Sequence, residues 1–143
     1  MKTVTTTNLT IDVSVDSTQK VTFSGSGIHN DKIQVDTDLG VITFQLPENA
    51  TVSFPSDPIQ WTDHLGANYQ AIDKPSVATV NRMDGKKVVV RIKNPFGNRN
   101  QGPSPTAEKV KYSFFVIVQT AKGKFFGTDP TIVTMRPGSG MGS

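Results

Sequence analysis

From Leu9 to Ile132 this chain returns repeatedly to one rhythm, an apolar side chain followed by a polar or small one. A period of two sends successive side chains to opposite faces of an extended strand, and no helix buries such a pattern on one side. Leu9, Ile11, Val13 and Val15 alternate with Asn8, Thr10, Asp12 and Ser14; Val21 and Phe23 resume after a turn at Asp16-Ser17, which predicts a hairpin. Ile33 and Val35 precede "DTDLG", and Ile42, Phe44 and Leu46 follow it, a second pair of strands with those five residues as a hairpin turn. Val52 and Phe54 come before Pro55, Asp57 and Pro58, where the prolines suggest an edge crossing, and Ile59 and Trp61 take up the alternation again. Val77 and Val80 mark a weaker segment that ends at the turn signal Met83-Asp84-Gly85-Lys86. Val88, Val90 and Ile92 form the next strand, and Val110, Tyr112, Phe114, Val116 and Val118 the strongest one. "AKGK" turns into Phe125-Phe126, and Ile132 anchors a closing strand.

No dozen residues carry a helical period, although "PIQWTDHLGAN" has room for one short helical turn. The expected fold is therefore all-β: an antiparallel two-sheet sandwich of eight or nine strands, with a closed barrel as its competitor. The 143 residues suit one domain, taken as 1–136, with the Gly/Ser-rich tail 137–143 left outside it. Strand spacings and turn chemistries differ along the chain, so there is no internal repeat. The absence of cysteine removes disulfides, thiolate metal sites and cysteine nucleophiles, leaving packing as the source of stability. No apolar run reaches the length of a membrane helix or of a signal peptide's core. With no cysteine, that favours a cytoplasmic setting; an extracellular one would require a leader since removed.

The aromatic strand "VKYSFFVIVQT", followed closely by "TDPTIV", resembles the ending of a group of small bacterial β-sandwich proteins whose last strand begins Asp-Pro-x-Ile. The resemblance covers roughly the last 25 residues and implies an immunoglobulin-like or cupredoxin-like sandwich, with no activity attached. It brings no copper, because a blue-copper site needs a cysteine beside two histidines, and this chain has only His29 and His64.

Charge is unevenly divided. Residues 1–73 hold nine carboxylates against three lysines, a balance of −6, whereas residues 74–143 hold twelve cations against three carboxylates, a balance of +9. Strands of both halves interleave in a sandwich, so the contrast either cancels internally or marks an anionic partner. With Val88, Val90 and Ile92 turned inward, Lys87, Arg91 and Lys93 share the outward face; Lys109 and Lys111 do the same on the aromatic strand. Pairing these two strands as a hairpin sets like charges side by side, which calls for a compensating anion, a neighbouring carboxylate or solvent. The loop between them, Asn94 to Glu108, offers Phe96, Arg99 and Asn100 to a hydroxyl, phosphate or carboxylate ligand, or is simply a polar connection. Nucleic acid is the weaker anion candidate, since one aromatic and a modest basic strip make neither a stacking platform nor a duplex binder.

A second cluster, Trp61, Asp63, Asn68 and Tyr69, has the chemistry of a sugar site if Trp61 is exposed, and is ordinary sandwich core if Trp61 packs between sheets. Because one face of the aromatic strand is already claimed, Phe115 and Ile117 must point the other way. Together with Phe125 and Phe126 they are candidates for an interface, or for a second covered face. Catalytic residues are not assigned: His29 and His64 lack a visible nucleophile and orienting acid, and Asp36 to Gly40 lacks the ligands of a calcium loop. The expectation is a non-catalytic binding or protein-interaction module without metal or cofactor. Protein or self-association is preferred, with a glycan or an anion as alternatives.

Overall fold

The computed structural model describes residues 5–15, 20–25, 27–29, 32–65, 68–94, 109–120, 122–126 and 131–135. They form eleven strands and no helix: β1 (Thr6–Val15), β2 (Val21–Ser24), β3 (Lys32–Val35), β4 (Leu39–Gln45), β5 (Ile59–Leu65), β6 (Asn68–Ala71), β7 (Ala78–Asp84), β8 (Lys87–Lys93), β9 (Lys109–Thr120), β10 (Gly123–Phe126) and β11 (Thr131–Met135). One sheet runs β2-β1-β4-β8-β7; the other runs β3-β11-β9-β5-β6, with β10 also on β9. The all-β, two-sheet architecture expected from the period-two pattern is the one the chain adopts. The count exceeds eight or nine in part because β6, of four residues, is too short to show a period of its own, whereas the equally short β3 and β10 coincide with the Ile33/Val35 and Phe125-Phe126 segments.

Alternation becomes burial directly. Ile11 and Val13 of β1, Ile42 and Phe44 of β4, Val88, Val90 and Ile92 of β8, and Phe114, Val116 and Val118 of β9 are all buried in one core. A run of rings crosses it: Phe23 to Phe44 at 6.0 Å, Phe44 to Phe114 at 5.9 Å, both edge to face, and Phe114 to Trp61 at 5.0 Å. Since Phe44 and Phe114 lie in different sheets, this contact ties the sheets face to face.

β1–β2 and β7–β8 pair as the expected hairpins, with the Asp16-Ser17 turn lying outside the described residues; the second is closed by Lys86 N–H donating to Asp84 Oδ1 at 2.7 Å. Several connections differ from the sequence expectation. Asp36 to Gly40 is not a hairpin turn, because β3 and β4 belong to different sheets and the segment crosses between them. Gly40 makes the crossing close: a Cβ there would lie 2.8 Å from Val35 Cγ2. The turn is held by Asp38 Oδ2, which accepts from Thr5 N–H at 3.0 Å, and by the Thr7–Thr37 hydroxyl pair at 2.6 Å. Nor are all ladders antiparallel: β1 runs parallel to β4, and β11 parallel to β3. The helical turn allowed for "PIQWTDHLGAN" does not form; β5 and β6 pair antiparallel instead.

Candidate functional site

The two basic strands do not meet. β8 pairs with β4 and β7 in one sheet, and β9 pairs with β5, β10 and β11 in the other, so Arg91 and Lys111 lie on opposite outer faces. The expected clash of like charges is absent because the register sets Lys87 opposite Asp84, and Arg91 between Val41 and Thr79. Arg91 and Lys93 are exposed. Phe96, Arg99 and Asn100 lie outside the described residues. Asn94, at the end of β8, is buried and donates through Nδ2 to the Thr37 carbonyl at 2.9 Å, pinning the strand to the β3–β4 crossing.

Trp61 resolves to the core alternative: it is 4% exposed and packed at a tilt against Phe114, so it offers no free ring face to a sugar. Asp63, Asn68 and Tyr69 belong to β5 and β6, where Asp63 pairs with Gln70, Leu65 with Asn68 and His64 with Tyr69 in the backbone register. Phe115 and Ile117 on the outer side of β9 are half-buried rather than fully open, while Phe125 pairs with Val118 and Phe126 with Ile117.

The structure instead brings together residues that the alternation pattern did not connect. Pro55 and Pro58 have no N–H to give to a ladder, and the chain leaves β9 between Ser53, paired with Gln119, and Ile59, paired with Val116. On the far side of β5, β6 ends at Ala71, opposite Thr62, and Ile72 to Val77 cross to β7 in the other sheet. A cleft of about 360 Å³ results, floored by Ile59, Trp61 and Val80 and rimmed by Asp57, Ile72, Asp73, Lys74 and Arg82. The two cations are tied to backbone. Lys74 Nζ donates to the Ala78 carbonyl at 2.6 Å and Arg82 Nε to the Phe54 carbonyl at 3.0 Å. Asp57 and Asp73 are exposed at the rim.

One wall of this cleft is the edge of a sheet. Ala78 N–H donates to the Pro75 carbonyl and the Ala78 carbonyl accepts from Lys74, whereas Lys93 N–H donates to Val77 on the β8 side. Even-numbered residues of β7 therefore turn their backbone groups away from β8, and the two-residue period carries Val80 and Arg82 the same way. A register irregularity between Arg82 and Asp84 ends the regular run. The exposed large hydrophobic residues among those described are Ile72, at 40%, and Met83, at 56%; both border this edge.

Among the described residues no cluster of three or more His, Cys, Asp or Glu side chains is placed to hold a metal ion. Tyr112, half-buried on β9, has its phenol pushed above the ordinary value of 10.0 by burial. Set against models of protein families and against curated proteins, the sequence matches none.

Proposed function

We propose that this protein is a non-catalytic interaction module that engages an extended polypeptide by adding a strand to the free edge of β7. The observation that carries this reading is a coincidence of place. The backbone groups of Val80 and Arg82 point off the sheet into a cleft, and exposed Ile72 and Met83 flank that same edge. Strand addition takes its affinity from main-chain hydrogen bonds and its selectivity from pockets for alternate side chains, and a cleft beside an edge supplies both. Asp57 and Asp73 stand exposed on the rim beside Lys74 and Arg82, each of which donates to a backbone carbonyl and keeps its charge, so the rim offers a newcomer two charges of each sign.

The test is a titration with a soluble peptide of alternating valine and threonine ended by lysines. Trp61, the sole tryptophan, lies beneath the cleft, so its emission is followed together with the heat of binding by calorimetry. Saturable change in the wild-type protein, lost in Val80→Pro, is the expected result. Proline at this position removes an N–H that β8 does not use, so the fold keeps its ladder. Titrations that show neither a change in Trp61 emission nor a heat of binding would remove the reading.

A further inference from the structure

Resting on that reading, we infer that the strand β7 takes is β7 of a second copy, paired antiparallel about a two-fold axis at Asn81. The register follows by elimination. Ala78 is closed, because Pro75 and Lys74 occupy both of its outward groups, and the register irregularity follows Arg82, so the free run is Val80 to Arg82. Only one antiparallel pairing uses both free residues of both copies: Val80 opposite Arg82 of the second copy, with Asn81 opposite its own symmetry mate.

Three further features agree with this placement. Met83 falls opposite Thr79 of the second copy, so its open surface is covered. Arg82 of the second copy stands across from Val80, so its side chain, held through Nε to the Phe54 carbonyl of its own chain, adds a guanidinium to a rim that carries Asp57 and Asp73. β7, seven residues long, is also longer than the other outer strands β2, β3 and β6, each of four. The paired sheets would form one continuous sheet through the two-fold axis.

Asn81 turns its own backbone toward β8, so it would face its mate as a non-hydrogen-bonded pair, with Cα atoms about 4.5 Å apart. That separation suits a disulfide, and the chain contains no competing cysteine. The experiment follows the full chain by sedimentation velocity over a wide concentration range, with Asn81→Cys and Thr79→Cys oxidised in parallel. A reversible dimer, weakened at least tenfold in Val80→Pro, and cross-linking many times faster at position 81 than at 79, is the expected result. A dimer that cross-links equally well or better through Thr79→Cys overturns the register. A strict monomer at every concentration overturns self-pairing. The lysine-ended peptide then separates the two claims: saturable binding by that monomer leaves strand addition standing without the dimer, and no binding removes both.

Discussion

β9 and β7 are both strands of one sandwich, yet they stand at opposite extremes of how a strand can be satisfied. β9 is paired along both edges, by β5 on one side and by β11 and then β10 on the other, and its inner residues Phe114, Val116 and Val118 are fully buried. Among the described residues β7 is paired on one edge only; beyond Ala78 its residues are exposed, apart from half-buried Val80. The difference is one of division of labour: the strand with neighbours on both edges holds the fold, and the strand with an edge to spare is the one that can meet a partner.

Substitutions can break this contrast, and the largest effect should come from β9. Phe114 touches both Phe44 and Trp61, so Phe114→Ala is expected to cost about 3–5 kcal/mol in denaturant unfolding. Gly40→Ala comes next, because the added methyl meets Val35 and Ile92 with no room to yield; about 1–3 kcal/mol is expected. On β7 the order of consequences reverses. Val80→Pro should cost only about 1 kcal/mol of stability, because it removes no ladder bond to β8 and keeps the number of side-chain carbons, while weakening association at least tenfold. Met83→Asp should leave the unfolding midpoint nearly unchanged and weaken association, measured by sedimentation, because Met83 is open in the single chain.

The smallest effect returns to β9. Burial raises the Tyr112 phenol pKa above that of the unfolded chain, so the stability it favours is complete below pH 10. Above that pH the unfolded state releases its proton first, and stability falls as the pH climbs toward the folded value. Tyr112→Phe should flatten this alkaline decline in a denaturation series at increasing pH, with no effect near neutrality.

How much of this was legible in the sequence follows the distance over which each contact acts. β9 was clear because five inward residues in strict alternation can be read within one strand, and β1–β2 and β7–β8 because each hairpin carries its own turn. The β3–β4 crossing was misread because "DTDLG" has hairpin chemistry, and only the packing of Val35 against Gly40 shows that the chain is changing sheets. The β8–β9 pairing failed for a related reason: nothing local to either strand says that β8's partners are β4 and β7, or that Asp84 stands opposite Lys87. Trp61 was left open between core and platform, and its contact with Phe114 decides for core.

The cleft itself was invisible, since it gathers Asp57, Ile72 and Arg82 from three separate segments. One signal was present. In "ATVNRMD" the apolar alternation fades after Val80 into Arg82 and Asp84, the pattern of a strand that one sheet neighbour covers and solvent meets on the other side.

The most direct measurement is amide hydrogen exchange along β7, resolved residue by residue, at two protein concentrations far apart. Thr79 and Asn81 face β8 and should be protected at both. Val80 and Arg82 should exchange freely in the dilute sample and become protected in the concentrated one. Protection of Val80 and Arg82 that is absent at both concentrations would contradict the claim that this edge pairs with the same edge of a second copy.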